Sequence, residues 1–309
     1  MLAIFLKTLP FFALIGLGWW AGRLRFFPEV ATEWLTRFVF FFALSAMLFR
    51  FAANLSLAEI FDLQFALAYL TGCTVVYALA LSVALARGVT LAEAAVEAQC
   101  AIIGNTGFLG VPMLVVLLGK AAAGPVLMVL CIDLIVFSSL ITLIITATRE
   151  GHLSPKIFGA LGTGLLMNPM IVSMVAGLIW SAADLPLPAP AEEFLTMLGA
   201  AATPCALFAI GASLATKTAE RMEVALWLSF AKLILHPAAV AIAALYLFKV
   251  EPYAAHVMIA AASLPVAGNV YMLARHYGVA PQRVSASILI STLASIVTVS
   301  VVVGLVSQT

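Results

Sequence analysis

The sequence predicts an all-α integral membrane protein of ten transmembrane helices in two inverted repeats of five, with the fourth and ninth helices broken in mid-span. Three observations predict it. The 309 residues are 64% hydrophobic and 9% charged, with a mean hydropathy of +1.17, whereas soluble domains run at roughly 45–50% apolar and 25% charged. Apolar runs of about 20 residues, enough for a hydrocarbon core of roughly 30 Å, recur along the whole chain and leave no soluble domain over. One near-constant offset, 159 residues, relates the two halves. Runs this long and continuously apolar are helices, because barrel strands are short and alternating.

Charges and turn residues place the spans at about 2–22, 31–49, 63–86, 92–118, 124–147, 157–180, 193–215, 223–248, 252–275 and 284–306. The first has no charge ahead of its apolar run, holds Lys7 inside it and is followed by no A-x-A-like site, so it reads as a span and not a leader. Its LKTLPFFALIGLGWW answers LLMNPMIVSMVAGLIW in the sixth: Pro10 and Pro169 are 159 apart, as are Gly18 and Gly177. The second begins EWLT at Glu33 and the seventh EFLT at Glu193, while AMLF at Ala46 is answered by ALFA at Ala206. The fourth ends at Gly119 and the ninth at Gly278. The loops are short, such as RLRFFPE after the first span and REGHLSPK near the middle, so the repeats are 1–150 and 151–309. An odd number of spans in each repeat forces the second to cross the membrane in the opposite sense, an architecture found chiefly in secondary transporters.

Charge placement sets the orientation. One set of loops holds Arg23, Arg25, Arg37, Arg87, Arg149, Lys156, Lys217, Arg221, Arg275 and Arg283, and the other only Arg50, Lys120 and Lys249. The first set is therefore cytoplasmic and both termini lie outside. A net charge of +1, with charges clustered between spans, excludes a nucleic-acid partner. Cys73, Cys100, Cys131 and Cys205 lie inside apolar runs with no metal-ligand spacing, HExxH is absent, and GASLA (211–215) lies in a span where a nucleophile elbow would need a strand-to-helix turn. No enzyme, cofactor or metal is expected; coupling to H⁺ or Na⁺ and a uniporter-like mode are both open from the sequence.

The candidate chemistry lies at the breaks. GNTGFLGVP (104–112) interrupts the fourth span, and with the same offset GNTGFLGVPMLVVLLG lies opposite SLPVAGNVYMLARHYG (263–278). Pro112 cannot donate to the carbonyl of Phe108, nor Pro265 to that of Ala261, so each span is expected to break there and present a half-helix N-terminus near mid-membrane. Such an end carries about half a positive charge and can hold an anion without a full Lys or Arg at the bilayer centre, which would cost roughly 2.5–3.5 kcal/mol. Matched breaks in two halves mark a transporter's binding site. The substrate-binding candidates are thus Asn105, Thr106, Gly107, Pro112, Pro265, Gly268, Asn269 and Tyr271. Glycines at 104, 107 and 110 also suit plain close packing, and Tyr271 also suits an interior aromatic. Asp133, the deepest acid, is the proton or cation candidate, with helix packing as its other reading; Lys232 either assists with a carboxylate or snorkels. His236 reads more simply as a packing group, and Glu97 and His256, 159 apart, are entry-side charges or solvated helix ends.

These motifs carry a resemblance. N-T-x-x-x-G-x-P in the fourth span, P-x-A-x-N followed by A-x-x-Y-G in the ninth, NP at Asn168-Pro169, TPCALFAIGASLA in the seventh and KLILHP (232–237) together resemble the auxin efflux carrier family. The match is closer to its bacterial branch, which includes malonate and malate carriers. The resemblance covers nearly the whole chain. It implies a fold like that of the bile-acid sodium symporters, with helices 4 and 9 crossing at the substrate, and places Asn105 where plant members contact the carboxylate of auxin. The short central loop and PVAGN in place of PQGIV depart from the plant pattern and count against auxin itself. The expected function is a secondary transporter, by alternating access, of mono- or dicarboxylates such as malonate or malate, or of auxin-like weak acids, in a bacterial inner membrane, with the bilayer and a small carboxylate as partners and a homodimer left open. The other classes weighed are a channel or substrate-sensing receptor on a carrier fold, and an intramembrane enzyme.

Overall fold

The computed structural model describes residues 2–55, 62–150, 156–215 and 221–306. Lys217 and the middle of the REGHLSPK loop (151–155) lie outside the described residues.

Helices follow the apolar runs, and among the described residues there is no strand beyond one isolated β-bridge. Seven are long and apolar enough to cross a membrane: α1 (Leu2–Arg23, qualifying over Phe5–Arg23), α2 (Glu29–Ala53), α3 (Leu63–Ala86), α6 (Lys120–Thr148), α9 (Ala189–Leu214), α10 (Met222–Leu247) and α13 (Pro281–Val306). The other three expected spans are each two pieces: α4 (Leu91–Ile102) and α5 (Thr106–Leu118), α7 (Lys156–Leu166) and α8 (Pro169–Ala182), α11 (Pro252–Ala262) and α12 (Gly268–Tyr277). Local chemistry sets several ends. Thr90 and Glu93 form a reciprocal capping box that starts α4, and Asp62 caps α3. Gly119 and Gly278, the pair at the common offset, end α5 and α12 at φ 99 and 64, a conformation that favours glycine.

The prolines do not act alike. Pro10 stays inside an unbroken α1. Its counterpart Pro169 opens α8, because Asn168 Oδ1 accepts from the Met170 amide at 3.0 Å and stops the preceding helix. Pro112 also differs from expectation. The fourth span breaks earlier, at 103–105, and Pro112 sits inside α5, just after the π-helical turn Thr106–Gly110.

The helices pack in two groups. In one, α1 lies on α9 and α8 on α2, with α2 also against α9. Glycines let these backbones meet: a Cβ on Gly18 would fall 2.1 Å from the Phe208 carbonyl oxygen, and one on Gly177 would fall 2.5 Å from that of Phe49. The second group holds α3, α4, α6, α10, α11, α12 and α13. Here Gly72 of α3 abuts the Val240 backbone of α10. Between the groups lie α5, which touches α1 and α9, and the contact of α1 with α13.

Candidate functional site

The two breaks lie against each other. Ile103 leaves α4 in an extended conformation, and Gly104 faces Val266 in an antiparallel bridge. The Asn105 amide donates to the Pro265 carbonyl at 2.8 Å and the Ala267 amide to the Ile103 carbonyl at 3.1 Å. The interrupted backbone is thus satisfied by the other break, as buried backbone groups need to be. Side-chain volume decides the rest of the fit. Gly104 and Gly110 lie against Leu264, and a Cβ on Gly110 would come within 2.5 Å of its Cδ1.

Two helical ends open from this crossing. Beyond Asn105 the chain makes a π-helical turn, Thr106–Gly110, with no side-chain cap. Beyond Ala267, α12 starts at Gly268, again uncapped. Asn105 and Thr106 are buried, Gly268 is exposed with open space beside it, and Asn269 and Tyr271 are half-buried. Asn269 Oδ1 finds no hydrogen-bond partner among the described residues. Gly107 faces α8, with the Met170 methyl 2.6 Å from where its Cβ would be. Pro265 lies in the extended segment and supplies its carbonyl to the bridge.

The opposite, negative end of a half-helix has a lysine. Lys232 is fully buried, and its Nζ donates to the carbonyl of Ala262, the last residue of α11, at 2.5 Å. The carbonyl expected to be freed was that of Ala261, but Ala261 accepts from the Leu264 amide at 3.3 Å. One residue later, Ala262 is the one that Lys232 takes. An ammonium against the C-terminal carbonyls of a helix is a favourable charge–dipole arrangement, stronger where water is excluded.

A buried polar cluster continues from Lys232. Its Nζ is 3.1 Å from His236 Nδ1, whose Nε2 is 3.1 Å from Cys73 Sγ. One turn of α3 from Cys73, Tyr69 donates to Asp133 Oδ1 at 2.9 Å. Asp133 Oδ2 has no partner among the described residues. Lys232 and Asp133 are not joined by an ion pair among the described residues. Both sit in π-helical turns, Ala231–Leu235 and Asp133–Phe137, and a third holds Thr106. The extra residue in such a turn leaves the helical ladder out of step, a feature frequent at functional sites. The sequence does not single out Tyr69, and Cys73 reads there only as lying in an apolar run; the one signal of either is a polar atom in such a run.

Glu97 is not a solvated helix end. It is 1% exposed and takes Arg283 Nη1 at 2.8 Å on one oxygen and Arg87 on the other, while Arg283 also reaches Glu93 at 3.0 Å. This network fastens the start of α4 to the start of α13. His256 is half-buried in α11.

Comparison with known proteins agrees with this architecture. Residues 3–303 match the model of a family described as membrane transport protein. A relative from Rhizobium meliloti (strain 1021), which carries the description "Putative malonate transporter", is 33% identical over 297 residues, covering 95% of this chain and 92% of its own.

Proposed function

We propose that this chain, which belongs to the membrane transport protein family, is a secondary transporter of small organic anions, mono- or dicarboxylates such as malonate or malate. It works by alternating access, with the substrate held where two broken helices cross. The carrying observation is the crossing itself: two breaks paired through one β-bridge, each followed by an uncapped helix start, with Gly268 exposed and Asn269 unsatisfied beside it. Helix starts attract carboxylates, and the amides of Asn105 and Asn269 add neutral donors. The relative's description favours a dicarboxylate.

The ten-crossing, inverted-repeat reading is part of the proposal. It is supported by the three two-piece spans and by a reciprocal contact: Gly18 packs on Phe208, and Gly177 packs on Phe49, both glycines and both phenylalanines being 159 residues apart. A twofold relation between the halves produces such pairs. Membership of a transport family supports the reading over an enzyme. Coupling is assigned to a proton at Asp133, because it is a buried acid with one carboxylate oxygen unpartnered among the described residues, and because Lys232 already occupies the α11 carbonyl end. Lys232 then assists a substrate carboxylate through the field at the crossing.

The test is flux. Purified protein in liposomes is expected to take up or exchange malonate or malate saturably, at a rate that depends on pH and not on Na⁺. Absence of uptake for a panel of short carboxylates in either ion gradient would sink the assignment; binding without flux would indicate a sensor, and non-saturable flux a channel.

A further inference from the structure

Val266 faces Gly104 as the pair whose flanking residues, Asn105 with Pro265 and Ala267 with Ile103, exchange the bridge hydrogen bonds. In such a non-hydrogen-bonded antiparallel pair the N–H and C=O of the facing residues point away from the partner strand. The Val266 N–H is therefore left over by the crossing itself, at a residue 1% exposed in the middle of a span. It needs an acceptor from outside both breaks. That acceptor is Ser291 of α13: the Val266 amide donates to Ser291 Oγ at 3.1 Å, and the same hydroxyl donates to its own helix at the Ile288 carbonyl, 3.3 Å away.

The neighbours of Ser291 show that this is not a general property of the helix. Ser287, Ser291 and Ser295 follow at i, i+4 and i+8 on one face, all fully buried. Ser287 Oγ bonds the Arg283 carbonyl and Ser295 Oγ the Thr292 carbonyl, both within α13. The hydroxyl of Ser291 alone among these three receives a donor from the crossing. Its helix is anchored elsewhere too, by Arg283 to Glu97 of α4 and by Ser300 to Thr8 of α1 at 2.8 Å.

We infer that Ser291 is a positioning residue for the substrate site: its hydroxyl fixes the extended segment 264–267 against α13 and so sets where Gly268 and Asn269, the start of α12, stand relative to Asn105. The consequence for transport rests on the function proposed above; the fixing of the segment does not. Removing the hydroxyl leaves the Val266 N–H without a partner, so the segment opens more often and the α12 start loses its register. Substrate binding suffers more than the conformational cycle, which α13 supports through its other contacts.

The experiment has two arms. Hydrogen–deuterium exchange of purified protein in nanodiscs reads the amides of 264–268 without any substrate. Ser291→Ala is expected to speed their exchange about tenfold, the effect of a small shift in the opening equilibrium; Ser291→Thr, which keeps the oxygen, restores slow exchange, and Ser295→Ala leaves it unchanged. Ser291→Cys keeps the size with a weak acceptor, gives an intermediate rate, and stands in should the alanine variant fail to fold. In liposomes, Ser291→Ala is expected to raise KM for malonate about tenfold, with the maximal rate within about twofold. Unchanged exchange in both Ser291→Ala and Ser291→Cys, or equal acceleration in Ser295→Ala, overturns the assignment. Faster exchange with no dicarboxylate transport by the unmodified protein upholds the role of Ser291 and rejects the proposed function instead.

Discussion

Asn105 directly precedes α5 and Asn269 is the second residue of α12, so their amides are where a carboxylate would meet both helix starts. Asn105→Ala and Asn269→Ala are each expected to lower malonate uptake at sub-saturating substrate about 10- to 100-fold, from the loss of one or two hydrogen bonds to a charged group. Radiotracer uptake in liposomes at equal protein reads this, and unchanged uptake in both would remove them from the site. Asp133 accepts from Tyr69 on one oxygen and leaves the other without a partner among the described residues. Asp133→Asn keeps the shape but cannot exchange a proton, so uptake is expected to lose its dependence on an imposed pH gradient while substrate exchange at equal pH persists. Glu97 is structural: Glu97→Gln leaves Arg283, 12% exposed at its side chain, facing a neutral amide. A cost of up to about 3 kcal/mol is expected from breaking a largely buried pair, read as a lower melting temperature in detergent.

At the scale of elements, close backbone contact is set by glycine. A Cβ on Gly211 of α9 would lie 1.9 Å from the Ile15 carbonyl oxygen, and one on Gly18 of α1 2.1 Å from that of Phe208. Both obstacles are backbone, so α1 and α9 must separate to admit a methyl group. Gly211→Ala or Gly18→Ala should destabilise by about 1–3 kcal/mol or more, whereas Gly16→Ala, with nothing within 4 Å, should not. Thermal unfolding of the three variants side by side checks the contrast. The breaks were legible as elements, because Gly, Asn and Pro inside an apolar run oppose a continuous helix. Their position was not. Pro112 pointed to the break but lies beyond it, inside α5 just after the π-helical turn Thr106–Gly110, because the chain leaves the helix where another segment can bond its backbone.

For the whole molecule, the two helix groups meet at Phe40 on Phe108, with ring centroids 6.5 Å apart, at Cys131 against Met174, and at the Thr8–Ser300 hydrogen bond. The ion pairs of the described residues lie within a group: Arg50–Glu192 in one, and the Arg87, Arg283, Glu93 and Glu97 network in the other. An interface with few directional bonds is one across which packed helices can shift. A disulfide formed between Phe40→Cys and Phe108→Cys is therefore expected to arrest transport reversibly, with activity returning on reduction. Full transport in the cross-linked protein would rule out relative movement at this contact.

The sequence by itself determined the membrane class, the helical content, the positions of the apolar runs and the presence of irregular stretches in the fourth and ninth, because composition and run length act locally and lipid leaves the backbone few alternatives. The residue types at the candidate site were legible for the same reason: a polar or helix-breaking residue in an apolar run is conspicuous. Tertiary structure alone decided that the two breaks bond to each other, that Lys232 ends on the Ala262 carbonyl, that Glu97 is locked between two arginines, and that Ser291 takes the amide the crossing leaves over. Each of those is a contact between residues distant in the chain, and hydrogen-bond geometry selects such partners only once the helices are packed.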